Sequence, residues 1–210
     1  MSKLKIFLFL PLLLVFQFQN QTAGQRVGAP GERTGEGVVV IKAAQIIDGR
    51  AGAPIRNGAI VVTDNKITDI GAAADIRIPR GARVIDLGDA TLLPGFIDAH
   101  THIIGRVLGD PGDDAARFRD YDSFGAILGV GNAERTLLAG FTTIRNLGSA
   151  NFDDLALRKA INEGWVIGPR MLTAAHGLGI TGGHCDDNGY KPGAADGDFR
   201  TGIADGVDAV

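Results

Sequence analysis

Apolar and polar residues change rhythm twice along the chain, and those changes divide it. Lys3 and Lys5 precede an apolar run over residues 6–16, and the polar stretch after it carries the small residues Thr22, Ala23 and Gly24. This is the charged, hydrophobic and small-residue layout of a secretory signal peptide. The run contains Pro11 and falls well short of the ~20 apolar residues that cross a bilayer. The expectation is a leader over residues 1–24 and an exported protein, periplasmic or secreted, with no membrane contact after cleavage. Residues 25–37 are Gly, Pro and charge without apolar periodicity, which reads as a flexible linker.

Short β-branched stretches follow at 38–41, 46–47, 59–63, 66–70 and 83–87, separated by Asp48-Gly49, Asp64-Asn65 and Gly88-Asp89. Asp and Asn tolerate the left-handed dihedrals of a two-residue hairpin, so Asp64-Asn65 is expected to turn one strand onto the next. Residues 38–93 are therefore expected to form a small antiparallel sheet or part of a β-sandwich. From Thr91 the rhythm becomes strand, longer segment, strand, with no hairpin between. Asp122 or Ser123 is placed to cap a helix ending at Gly140, and a strand is predicted over 141–144. Asp153 is expected to cap a second helix whose Leu157, Ala160 and Ile161 share a face, with Gly164 closing it. A third strand at 170–174 and a third helix opening at Ile203 complete an α/β alternation over residues 94–210.

Composition narrows the function classes. The 210 residues carry a net charge of -3 and no run of Lys or Arg, so neither a nucleic-acid footprint nor a polybasic membrane patch is supported. Glycine, at 31 residues, is about twice its usual ~7% share, and without a Gly-X-Y period it points to tight turns in an ordered fold. Cys185 is the single cysteine, which excludes an internal disulfide framework.

The chemistry is concentrated in LLPGFIDAHTH, residues 92–102. Residues i and i+2 of an extended chain point to the same side, so His100 and His102 can present both imidazoles to one point. Two imidazoles at the carboxyl end of a strand make half of a site for zinc or a similar divalent ion, one or two in number. Asp98, two residues earlier, is either a carboxylate that orients an imidazole through a hydrogen bond or a structural one. His184, in ITGGH, follows the third strand on a loop that two glycines make compact, and on the residues alone it reads as a solvent-facing histidine. His176 reads as a structural histidine. Arg145, at the end of the second strand, suits a substrate carboxylate. Asp186, Asp187 and Asn188 lack the spacing and the glutamate of a calcium loop and read as a solvated turn. The charged stretch 106–122 is either a lid over the site or an ordinary loop and helix start.

With PGFIDAHTH in view, the sequence resembles the amidohydrolase superfamily over residues 38–210. GFTTIRNLGS and GPRMLTAAHGLGITGGHCDD resemble more narrowly its Xaa-Pro dipeptidase-like and imidazolonepropionase-related branch. The resemblance implies a metal-dependent (β/α)8 barrel beside a small β-sandwich, cleaving C–N bonds of a dipeptide such as Xaa-Pro or of a cyclic amide. It implies first-strand metal ligands at His100 and His102 and a substrate contact at His184; relatives often carry aspartate where this chain has Asn146. A complete barrel takes about 250 residues, so the resemblance implies about three of its eight strands here, an incomplete barrel. The length then reads as a truncation point, with the remaining ligands expected after residue 210. The alternative is a catalytically incomplete fragment or weak metal-binding module. A small-molecule partner is implied, and a homo-oligomer is left open.

Overall fold

The computed structural model describes residues 37–107, 109–186, 189–191 and 193–209. The expected leader and nearly all of the linker lie outside them, as do Asp187 and Asn188. Among the described residues, no helix is long and apolar enough to cross a membrane.

The first strands are β1 (Val38–Ile46), β2 (Ile55–Thr63), β3 (Lys66–Ala72), β4 (Arg83–Asp86) and β5 (Thr91–Leu92). The two stretches expected at 38–41 and 46–47 are one continuous strand. β1, β2 and β3 form an antiparallel meander, and Asp64 takes the left-handed conformation (φ 55°) that the turn between β2 and β3 requires. The sheet as a whole is mixed, which corrects the antiparallel expectation. β4 and β5 run parallel to β1 and share its other edge, β4 opposite residues 39–42 and β5 opposite Gln45 and Ile46. The ten residues between β3 and β4 supply the crossover that a parallel return needs, with Ile76 buried against Val40, Ala59 and Val61 on the way. Ala43, Ile46 and Ile60 form a second small cluster.

The second sheet is parallel throughout: β6 (Phe96–Thr101), β7 (Phe141–Asn146) and β8 (Arg170–Thr173), in that spatial order. Strand order follows chain order without the reversal that defines a doubly wound sheet. The connections carry α1 (Asp113–Arg119), α2 (Phe124–Leu138) and α3 (Asp153–Asn162). Ala133 of α2 and Leu157 and Ile161 of α3 pack with Ile103, Ile144 and Met171 into one apolar core. Close approach of α2 requires glycine, because a β-carbon at Gly129 would stand 2.9 Å from Ile104 Cδ1 and 3.1 Å from Leu157 Cδ2. The charged stretch after β6 is tied down: Arg106 pairs with Asp120 at 3.0 Å and lies over the Phe124 ring.

Two expected helix features differ. No helix opens at Ile203; that residue forms a parallel bridge with Gly179, and the left-handed Gly202 and Gly206 on either side of it prevent helical winding. Asp153 is not a cap. Phe152 holds the N-cap position with φ 57°, and Asp153 is the first helical residue, buried beneath α2. Burial pushes the Asp153 carboxyl above its ordinary value of 3.8, the Ala126 N–H it accepts works in the opposite direction, and Asp122 and Asp154 raise it further. The folded chain thus holds this proton to higher pH than the unfolded chain does, so the contribution of Asp153 to stability falls as pH rises from 3.8 through the raised value. Asp153→Asn keeps an acceptor for Ala126 and should flatten that fall, gaining stability at neutral pH and none on the acid side of the ordinary value. Urea midpoints of both proteins across that range measure the difference.

Candidate metal centre

β6 delivers both histidines to the carboxyl end of the parallel sheet, where their ring centroids lie 5.4 Å apart, edge to face. The face on which they emerge is set by register. Asp98 pairs with Ile144, but Thr101 pairs with Asn146, so β6 spends three residues where β7 spends two. Such an extra residue reverses the alternation of side chains. Ile144 and Asn146 are both fully buried, and Thr101 and Ile103 take that same side beyond the irregularity, Ile103 joining the helix-packed core. His100 and His102 therefore stand on the opposite, solvent-open side, and both are exposed.

The segment leaving His102 is held from two directions. Asn146 Oδ1 accepts the Ile103 N–H at 2.9 Å, and Asn146 Nδ2 donates to the Gly148 carbonyl at 3.0 Å. From α2, Asn132 Nδ2 donates to the carbonyls of Ile103 at 2.9 Å and Gly105 at 3.0 Å. Gly148 passes beside the His102 ring, where a β-carbon would come within 3.7 Å of Cε1. The end of β8 is treated alike: buried Asp154 accepts the Ala175 N–H at 3.1 Å.

The other sequence candidates are distributed as follows. Asp98 Oδ1 accepts the backbone N–H of His100 at 3.0 Å. Arg145 is exposed, and its Nε donates to the Ala99 carbonyl at 2.7 Å. His184 is exposed on the turn that follows Thr181. That loop is closed at its base by Thr181, whose N–H and hydroxyl donate to Asp205 at 2.9 and 2.6 Å and hold that carboxyl below its ordinary value. Asp186 accepts the N–H groups of Gly182 and Gly197, stitching the same loop. His176 packs edge-on against Phe152 with centroids 4.7 Å apart. Cys185 is exposed. The structure brings His100 and His102 together, and among the described residues no group of three or more His, Cys, Asp or Glu side chains is placed to hold a metal ion. Two imidazoles on one open face fit a divalent ion as part of its ligand set, since catalytic zinc takes three or more protein ligands. Sequence reasoning missed Asn132 and Asp154. An asparagine directly after the apolar and glycine run of residues 124–131 was the available signal for the first, because Asn is a poor helix former.

The profile of the Amidohydrolase family matches residues 91–207, more than half of the chain. The chain belongs to the amidohydrolase family. An ochratoxinase of Aspergillus niger is 30% identical over 159 residues, which are 71% of this chain and 30% of that protein. An imidazolonepropionase of Ralstonia nicotianae is 51% identical over 53 residues, 24% of this chain and 12% of the relative. Among solved structures, a Xaa-Pro dipeptidase with bound methionine in its active site superposes with a TM-score of 0.70 at 32% identity, covering 81% of this chain and 41% of that one. The chain thus spans less than half the length of these relatives.

In this amidohydrolase chain the buried amide of Asn146 uses both its acceptor and its donor. Asn146→Asp would keep the acceptor and remove the donor, turning a buried carboxylate toward the Gly148 carbonyl. The substitution should cost at least about 1–3 kcal/mol at neutral pH. The deficit should shrink in acid, where a protonated carboxyl can donate again, and urea unfolding at the two pH values reads both effects.

Proposed function

We propose that the protein bearing this chain is a metal-dependent hydrolase of C–N bonds whose favoured substrate is a dipeptide such as Xaa-Pro or a cyclic amide. One observation carries the reading: two imidazoles meet on the open face at the carboxyl end of the first parallel strand, the end where barrel enzymes keep their chemistry. Family membership and the names of the relatives support it, one being a Xaa-Pro dipeptidase and another an imidazolonepropionase. On this reading the parallel strands are the first three of a (β/α)8 barrel and the mixed sheet is part of the accompanying sandwich.

His100 and His102 would hold the ion, zinc in the first instance. Such an ion supplies Lewis acidity and brings a water toward ionisation near neutral pH. Arg145 and His184 would meet the substrate, the guanidinium facing a carboxylate. Export as a soluble protein, acting on a small molecule and not on nucleic acid, is proposed from the leader-like N-terminus and the charge balance. A second reading has its own support. Because only two such donors meet among the described residues, the chain by itself is a weak metal-binding module, with hydrolysis residing in a longer form.

Purified chain and a longer form, measured for metal per chain and assayed for Xaa-Pro hydrolysis with and without a chelator, test both readings. Bound metal in both and chelator-sensitive hydrolysis in the longer form are expected, and His100→Ala should abolish metal retention. A longer form free of metal and indifferent to chelator would overturn the assignment.

A further inference from the structure

The open-face position of the histidines depends on the extra residue between Asp98 and Thr101, and such an irregularity strips backbone groups of their ladder partners. Neither Ala99 nor His100 pairs with a residue of β7. Side chains replace what the ladder would have supplied. Arg145 Nε donates to the Ala99 carbonyl at 2.7 Å, and Asp98 Oδ1 accepts the His100 N–H at 3.0 Å. Arg145 also anchors the strand beyond the irregularity, its own carbonyl accepting the Thr101 hydroxyl at 3.1 Å. The competing arrangement is easily defined. Without the extra residue, the pairing of Asp98 with Ile144 would continue to His100 opposite Asn146, turning His100 toward the helix-packed side.

We propose that Arg145 and Asp98 are positioning residues that hold β6 in the bulged register and thereby keep His100 and His102 on the open face for a metal ion. This rests on the metal reading above for its functional meaning, whereas the brace itself is a property of the metal-free chain. As a brace, Arg145 acts through its Nε donor and not through its charge. Glutamine carries an N–H donor at the same distance along the side chain, and asparagine offers the acceptor that aspartate does.

The test uses the full 210-residue chain with Zn2+ as the probe. Zn2+ affinity is measured by competition with a chelating dye, and exchange of the His100 amide proton is followed by NMR without metal. Arg145→Met and Asp98→Ala should each weaken Zn2+ binding about 10-fold, the loss typical of removing an outer partner of a ligand, and should accelerate His100 exchange. Arg145→Gln and Asp98→Asn should restore both readouts toward the parent chain. Unchanged affinity and exchange in a folded Arg145→Met would overturn the proposal, as would an Arg145→Gln no better than Arg145→Met, because charge and not the donor would then be responsible. If Arg145→Met loses its helical circular dichroism, the two Asp98 variants make the same comparison. A parent chain that takes up no Zn2+ would overturn the metal reading, while His100 exchange across the four variants would still decide the brace.

Discussion

A parallel sheet with helices packed on one side sorts the residues of each strand by parity, and the single extra residue between Asp98 and Thr101 is where β6 changes its sorting. Everything distinctive about the site depends on that change. Before it, Asp98 shares the side of Ile144; after it, Thr101 and Ile103 take the buried side and the histidines take the open one. Ile103 then fills the core beside Ile144 and Leu157, so the register that exposes the imidazoles is also the register that completes the packing under α2 and α3. A slip by one residue would bury His100 and withdraw Ile103 from that core, which makes the two outcomes mutually reinforcing.

Strands that end in loops leave backbone groups to be satisfied, and a buried group left unmade costs about 1–3 kcal/mol. At the carboxyl ends of β6, β7 and β8 that requirement is met by side chains from neighbouring elements: Asn146 and Asn132 around Ile103, Arg145 at Ala99 and Asp154 at Ala175. The bonds to Ile103 and Ala175 each tie a loop to a different strand or helix, and the bond from Arg145 ties β6 to β7. The loops that would surround a substrate are therefore cross-linked through polar groups, and geometry held in this way suits a site whose ligands must stay in place.

How much of this could be read in the sequence follows from how local each determinant is. The H-x-H pair, the βα alternation and the Asp64 turn are written in residues adjacent along the chain, and they stand where periodicity and turn chemistry put them. The mixed order of the first sheet is not local, since nothing in residues 83–86 distinguishes a strand that pairs antiparallel from one that returns parallel to β1. The helix expected at Ile203 failed for the same reason: a pairing with Gly179, more than twenty residues away, competes with it. In the sequence Asn146 stands out only as a departure from the family pattern. Its role became legible once Ile103 and Gly148, one on each side of it, needed an acceptor and a donor from the same side chain.

The open face itself carries the last step. Ile97 and Leu172 stand there 72% and 56% exposed, with Arg145 between them on β7. Parallel sheets occur almost only with both faces covered, and these apolar side chains lie on the face that bears His100 and His102. On the barrel reading, the strands that would cover Ile97 and Leu172 are also the strands that would bring further donors toward the imidazoles. Burial of that face and completion of a metal site would then be one event, and ion binding would add to the stability of the whole barrel as well as to its chemistry.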